Sequence, residues 1–344
     1  MNSTTVAVDL AKDVFEVAVA NRAYRVVGHK RLSRAQFERF LRTQPAGTEV
    51  VMEACGTAHH WGRQCHRAGL RPVLLPVQYV RAYVRRNKSD RTDAEALLEA
   101  RRCGEILPVP IKTPEQQALQ ALHRLRSQWQ TTRTARINAI RGLLREQGVP
   151  LRLGAATIRR DVPQLLEDPR VPPLLRLGLV PVLEELRELD TRLAQLDAQL
   201  AALVHHDDVG QRLQTIPGVG VITATALLGS VPQIHAFRRG RQFASWLGLT
   251  PREAASGHRR WRGGISKRGD AYLRTLLIHG ARSVVNNAQR RAHRGVVPLT
   301  PLQRWAVAIA ARRGVNTAAT AVANKVARVI WAVWRSDGGF VAAT

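Results

Sequence analysis

The spacing of apolar residues in this chain changes near Thr113, and that change divides what it can fold into. Before it, apolar residues come in short runs: Thr5-Val-Ala-Val-Asp9, the alternating Val14-Phe-Glu-Val-Ala-Val19, Ala23-Tyr-Arg-Val-Val27, Thr48-Glu-Val-Val-Met-Glu53 and Arg71–Val77. Short runs with period two, or with continuous apolarity, predict strands. Helices are predicted between them at Ser33–Leu41, with Ser33 as N-cap, and at Thr57–Ala68. The first region therefore reads as a mixed α/β sheet covered by helices. Thr113-Pro114-Glu115 then starts a helix, with Pro at its first position, in which Leu122, Leu125, Trp129, Thr132, Ile140 and Leu144 mark one face. A proline-containing stretch runs from Pro150 to Pro173. Beyond it Leu186, Leu189, Leu193, Leu196, Leu200 and Leu203 alternate spacings of three and four, a heptad seam. Such helices pack as an antiparallel hairpin or between subunits, or bury the face within one subunit. A third region begins near Val209, with helices predicted at Val221–Leu228, Gly240–Trp246, Ala271–Gln289, Leu302–Ala311 and Asn316–Trp334.

The charge balance narrows the class of protein. Lys and Arg number 53 against 26 Asp and Glu, a net charge of +27. A small-molecule enzyme gains nothing from such self-repulsion, whereas a polyanion offsets it through Coulomb attraction and counterion release. From His258 to Thr344 there are sixteen Lys and Arg and two acids, Asp270 and Asp337, which points to a phosphate-facing surface. No apolar stretch reaches the roughly 20 residues that span a bilayer, and Met1–Asp9 lacks the pattern of a signal peptide. The cationic residues are spread over several segments, unlike a membrane-surface helix. Three cysteines are too few for a disulfide framework, so a reducing cytoplasm is the expected setting.

Four acids form the most informative pattern. Asp9 and Glu53 end apolar strands, where ribonuclease-H-like sheets place metal-binding carboxylates. Asp90 and Asp93, in Lys88-Ser-Asp-Arg-Thr-Asp93, share one face of a starting helix. Hard Mg²⁺ takes carboxylate oxygens, and paired ions activate an attacking oxygen and stabilise a leaving one at phosphorus. The plain alternative is that Asp90 and Asp93 only favour a helix N-terminus; Asp13, Glu16 and Glu95 are neighbouring acids without that pattern. Thr215-Ile-Pro-Gly-Val-Gly220 looks like the hairpin of a helix-hairpin-helix element, in which Gly218 and Gly220 let backbone amides approach a phosphate. Thr250–Gly269 reads as a polar, glycine-rich cationic loop with two serines, Ser256 and Ser266, and the cations Arg259, Arg260, Arg262, Lys267 and Arg268. A serine hydroxyl attacks phosphorus when cations offset the developing charge; a plain turn residue is the alternative. Cys55, His59, His60, Cys65 and His66 fit no common zinc spacing.

In this order the blocks Val8-Asp-Leu-Ala-Lys12, Met52-Glu-Ala-Cys-Gly-Thr57, Lys88-Ser-Asp-Arg-Thr-Asp-Ala94, Ile216-Pro-Gly-Val-Gly220 and Phe243–Pro251 running into Ser256-Gly257 resemble the DEDD transposases of the insertion-sequence-110 family, in its 1111 subgroup. The resemblance extends to about Arg335. It implies a RuvC-like, ribonuclease-H-like domain over 1–110 whose Asp-Glu-Asp-Asp set falls on Asp9, Glu53, Asp90 and Asp93. A helical coiled-coil region over 111–206 and a mainly helical transposase domain over 207–344, with the catalytic serine at Ser256, complete the expected α/β plus α architecture. It further implies Mg²⁺ as cofactor, donor and target DNA and an element-encoded guide RNA as partners, no membrane, and a bacterial, nucleoid-associated setting. A homo-oligomer is expected, a dimer that becomes a tetramer on nucleic acid, with the Leu186–Leu203 seam as a subunit contact. Ser256 is followed by Gly-His-Arg-Arg-Trp where the family has small polar residues. Two other readings are a hydrolytic RuvC-like nuclease or junction resolvase, which leaves Ser256 idle, and a non-catalytic nucleic-acid-binding scaffold. An actin-like ATPase is disfavoured because Asp9-Leu-Ala-Lys12 has no glycine beside the acid.

Overall fold

Apolar runs such as Val6-Ala-Val8 and Val50-Val-Met52 bury both faces of a strand, so they belong in the middle of a sheet with helices on either side. The computed structural model describes residues 5–83, 90–152, 154–257, 259–295 and 298–341, and the chain divides into two units, Met1–Pro114 and Glu115–Thr344. The first unit runs β1 (Thr5–Leu10), β2 (Val14–Ala20), β3 (Val26–Ser33), α1 (Arg34–Arg42), β4 (Glu49–Glu53), α2 (Ala58–Arg67), β5 (Arg71–Leu75), α3 (Val77–Val80) and α4 (Asp90–Arg102). The strands lie in the order β3-β2-β1-β4-β5; β1, β2 and β3 pair antiparallel, whereas β4 and β5 join β1 in parallel. Val6, Val8, Val50 and Met52 face one way, onto Phe15, Phe37 and Trp61. Phe15 stacks on Phe37 at 4.9 Å, and Trp61 meets both edge-on. Ala7, Ala18 and Val51 face the other way, onto Ala94, Leu97 and Leu98 of α4. The helix expected from Ser33 is present, its cap closed by reciprocal bonds between Ser33 and Gln36.

The third strand comes later than the sequence suggests. Asn21 Oδ1 accepts the N–H groups of Ala23 (3.0 Å) and Arg25 (3.1 Å), and Tyr24 takes φ 58°. Ala23–Arg25 therefore close a turn, and pairing with β2 starts at Val26. At the other edge, β5 stops at Leu75 because Pro76 precedes α3.

In the second unit α5 (Pro114–Glu146) and α7 (Pro173–His205) form an antiparallel hairpin. Three ion pairs give its direction: Arg126–Asp197 (2.6 Å), Arg133–Asp190 (2.5 Å) and Arg136–Glu185 (2.5 Å), the α7 number falling as the α5 number rises. The proline-containing stretch is not merely a connection, because it folds as α6 (Ala155–Leu165), whose Ile158 and Val162 pack on Ile140, Leu144 and Leu179. Leu186 to Leu200 are buried as the heptad pattern requires, but Leu203 is 52% exposed and Val204 is buried instead. A straight helix drifts by about 20° per heptad, about 40° over the two from Leu186 to Leu200, and that moves the seam one position on. On α5 the drift has similar effect: Leu125 is exposed, and His123, Ile137, Ile140 and Leu144 are buried. Within the single chain Leu186–Leu200 are already buried, so the seam closes as the hairpin reading expects.

The rest of the unit comprises α8 (Asp208–Gln214), α9 (Val221–Ser230), α10 (Gly240–Trp246), a two-stranded ribbon of β6 (Pro251–Ser256) and β7 (Arg259–Ile265), α11 (Ala271–His293), α12 (Pro301–Arg313) and α13 (Val315–Arg335). Leu227, Phe243, Leu277, Val285, Val326 and Ile330 are part of their shared core. A polar network pins α5 to these helices. Buried His123 sits 3.1 Å from Tyr272 Oη through Nδ1 and 3.0 Å from Thr225 Oγ1 through Nε2. Among the described residues no helix is long and apolar enough to cross a membrane.

Two predictions follow from this packing. Burial lowers His123 from 6.5 to about 4, and His59, which accepts the Lys112 N–H, to about 4 as well. Both stay neutral when folded, while the unfolded chain takes up protons below about 6.5. Stability is thus full above that pH and falls between 6.5 and 4; urea midpoints across this range should decline, and less steeply in His123→Gln. The second concerns Glu49, buried at 4% exposure and held by Arg101 (2.7 Å) and Arg71 (2.6 Å). Arg101→Met removes a charge-assisted pair and should cost roughly 1–3 kcal/mol in denaturant unfolding; an unchanged midpoint would show that Arg71 alone suffices.

Candidate active site and nucleic-acid surface

The acids of the first unit are placed by strand register. Val8 pairs with Met52, so one further step along these parallel strands sets Asp9 beside Glu53, on rows about 4.8 Å apart. Side chains alternate between faces, so Asp9 follows Ala7, and Glu53 follows Val51, onto the face covered by α4. The direction of α4 is fixed by its last turn: Arg101 bonds Glu49 at the start of β4, so the first turn lies toward the strand ends. Asp93 is half-buried there, one turn before Leu97. Asp9, Glu53 and Asp93 are thereby directed to one end of one face. Lys88, Ser89 and the side chain of Asp90 lie outside the described residues.

Among the described residues no group of three His, Cys, Asp or Glu side chains is close enough to hold a metal ion. The donor set itself, hard carboxylate oxygens from two strand ends and a helix start, has the chemistry that Mg²⁺ takes. Glu16 stands opposite Asp9 across β1 and β2, on the same face, and Arg31 pairs with it at 3.4 Å. Its place beside Asp9 is a matter of pairing that no spacing in the sequence discloses. Glu95 is occupied by His29 at 3.2 Å, and Asp13 is exposed. The Cys65 thiol is buried in the core and pushed up to about 12 by desolvation, which keeps it protonated.

In the second unit α8 and α9 flank the Thr215–Gly220 hairpin. Gly218 takes φ +86°, and a Cβ there would stand 2.8 Å from the Gly280 carbonyl oxygen of α11. That glycine is required by close packing on α11. Gly220 precedes the first turn of α9 with open space around it, so free amides are presented there. Of the arginines on α5, Arg126, Arg133 and Arg136 are engaged by α7, and Arg141 donates to the carbonyls of Arg152 and Gly154. Arg124 and Arg145 are exposed.

The segment expected as a cationic loop is the β6–β7 ribbon, every β6 residue of which is exposed. Ser256 is at its tip, paired with Arg259 and followed by Gly257 at φ +53°. Ser266 is half-buried at its base, donating its N–H to Thr250 O at 2.8 Å. The base is tight. A Cβ on Gly248 would lie 2.0 Å from the Arg268 carbonyl oxygen, and one on Gly269 would lie 1.8 Å from that of Trp246. Lys267, at φ 56°, and Arg268 are exposed beside it. Arg260 is paired with Glu253 at 2.5 Å, and Arg262 is opposite Glu253 in the register, its side chain outside the described residues. Sequence alone does not single out Trp261, although an aromatic between two arginines is the signal that it offers.

Carboxylates directed to one sheet end in the first unit and exposed cations in the second suit work on phosphodiesters, and comparison with known proteins says which work. Residues 6–148 match a DEDD-type IS110 family described as Transposase, and residues 210–296 match one described as Transposase IS116/IS110/IS902 family. A "Probable family 20 transposase" of Pseudomonas aeruginosa is 41% identical over 97% of each chain. The "Transposase for insertion sequence element IS1111A" of Coxiella burnetii is 39% identical over 95% of this chain and 88% of that one. The corresponding protein of element IS1328 from Yersinia enterocolitica is 33% identical over 96% of this chain and 97% of its own. The protein is a transposase, an enzyme of DNA recombination. Within that class it belongs to the IS110/IS116/IS902 family.

Proposed function

We propose that this transposase excises and inserts its insertion sequence by Mg²⁺-assisted, RNA-guided strand exchange through a serine-linked DNA intermediate, and that it falls in the 1111 subgroup. The observation that carries the reading is the register of β1 and β4, which directs Asp9 and Glu53 to the same end of one sheet face as the first turn of α4 with Asp90 and Asp93. The strand order β3-β2-β1-β4-β5 supports a RuvC-like reading of this unit. Mg²⁺ held by these four acids would supply positive charge to a phosphodiester oxygen. Ser256 Oγ attacks the scissile phosphorus and gives up its hydroxyl proton, a new O–P bond forms, and the bond to one deoxyribose oxygen breaks as that oxygen takes up one proton in return. A strand-end hydroxyl then attacks the same phosphorus and releases the serine, so the phosphodiester energy is conserved and no nucleotide hydrolysis is required. Exposed Arg259, paired with Ser256 at the ribbon tip, offsets the developing charge, while Lys267 and Arg268 at the far end of β7 serve to hold nucleic-acid backbone.

Guide RNA enters because nothing in the sequence resembles a motif that reads a long DNA site, and base pairing supplies that specificity economically. Gly220 at the start of α9 and the exposed arginines hold nucleic-acid backbone. A second copy has a surface available at the start of α7, where Leu174, Leu177 and Val180 are exposed at intervals of three. Dimers, with tetramers on nucleic acid, in a nucleoid-associated cytoplasmic setting complete the proposal.

Alanine at Asp9, Glu53, Asp90 or Asp93 is expected to abolish excision and leave nucleic-acid binding nearly intact, because the acids oppose phosphate binding. Normal excision by Glu53→Ala would overturn the metal-site assignment. Ser256→Ala should bind DNA and RNA yet form no denaturation-resistant adduct; a persistent adduct moves the nucleophile to Ser266, and strand breakage with no adduct in the parent protein favours a hydrolytic nuclease. Sequencing of co-purified nucleic acid should recover element-derived RNA, and normal recombination after ribonuclease treatment would remove RNA from the scheme.

A further inference from the structure

The ribbon that carries Ser256 has two chemically different faces. From Glu253 to Ser256 the pairs run Ala254–Trp261, Ala255–Arg260 and Ser256–Arg259. Alternation sets Ser256, Arg259, Ala254 and Trp261 on one face and Ala255, Arg260, Glu253 and, by register, Arg262 on the other. On the second face the Arg260–Glu253 pair cancels its own charge. The first face bears a serine, a guanidinium and an indole, with alanine as its other side chain.

Trp261 is 59% exposed and belongs to no core cluster. Its ring lies along its own strand over Gly263, where a Cβ would meet the ring at 2.2 Å. The outer edge of the indole thus rests by the bare backbone of Gly263, and more than half of the residue remains exposed. An exposed flat ring on a strongly cationic protein is the platform on which nucleic-acid bases stack. Ser256 and Trp261 are diagonal neighbours, about 7–8 Å apart along the ribbon. That span is comparable with the distance from a phosphate to the base of its own or the next nucleotide. A strand whose phosphorus sits at Ser256 Oγ, its charge met by Arg259, therefore brings a base to the indole.

We propose that Trp261 stacks on a DNA base next to the phosphodiester attacked by Ser256, and so is a positioning residue that seats the scissile step. The proposal rests on the serine reading above. Stacking is sequence-tolerant because every base has a π face, so the indole sets the position of the strand along the ribbon and leaves sequence choice to other contacts. Phe retains a ring at this position and Ala does not, and both are tolerated by an exposed site that supports no core.

The test uses the full chain with its co-purified nucleic acid and an oligonucleotide duplex of the element end, with 2-aminopurine scanned across the scissile step. The parent protein should change 2-aminopurine fluorescence at one or two adjacent positions. Trp261→Ala should lose that change and form the covalent adduct on the order of ten-fold more slowly or worse, with Trp261→Phe recovering most of both, at unchanged melting temperature. Ser256→Ala should keep the fluorescence change while losing the adduct. If Ser256→Ala still forms the adduct and Trp261→Ala still loses the signal, the serine reading fails and stacking stands. If Trp261→Ala matches the parent in both signals the proposal is wrong, and if it alters only the oligomeric mass in light scattering the proposal is wrong and the ring serves a contact between copies.

Discussion

The contact between Arg101 and Glu49 settles which way α4 runs across the sheet, and the arrangement of the acids depends on that direction. Glu49 is buried at the start of β4 and is matched by two guanidinium groups, so it holds the last turn of α4 to that end. The first turn is then obliged to lie toward Glu53. Were the helix reversed, Asp90 and Asp93 would approach the strand starts and share nothing with Asp9. Small side chains beneath the helix, Ala7 and Ala18, allow it to lie close on the sheet.

A second constraint is the disposition of positive charge. An excess of 27 cations does not leave every arginine available for phosphate. Arg126, Arg133 and Arg136 hold the two long helices together, and Arg101 and Arg71 neutralise Glu49. Partly buried Arg–carboxylate pairs fix orientation more than they add stability. Here they set the antiparallel sense of the hairpin. Cations outside such pairs remain on the surface, where Arg124, Arg145, Arg259, Lys267 and Arg268 are found.

Glycine is used for two different purposes in the C-terminal helices. Gly218 and Gly280 allow two backbones to approach more closely than any Cβ permits, and Gly248 and Gly269 do the same at the ribbon base. Gly220 has open space around it and leaves the first amides of α9 accessible. The same residue type, two positions apart in one hairpin, thus serves packing in one case and exposure in the other.

Periodicity made the elements legible in the sequence. Alternating and continuous apolar runs located β1, β2, β4 and β5, the three-four spacing located α5 and α7, and the capping residue Ser33 located α1; these depend on neighbours within one turn or one strand. The net charge likewise needed only a count to indicate a polyanion, and the position of Asp9 and Glu53 at strand ends was visible as an acid after an apolar run. What pairing decides was not visible. That Glu16 faces Asp9, that Ser256 and Trp261 share one face of a ribbon, and that the α7 seam closes within its own chain all depend on register between segments distant in sequence. The displaced third strand and the slipped end of the leucine seam have local causes, an Asn21 turn and helical drift, but their effect appears only once a partner strand or helix fixes the frame. Local preference is set within a few residues, whereas the choice of facing side chain is made by packing in three dimensions.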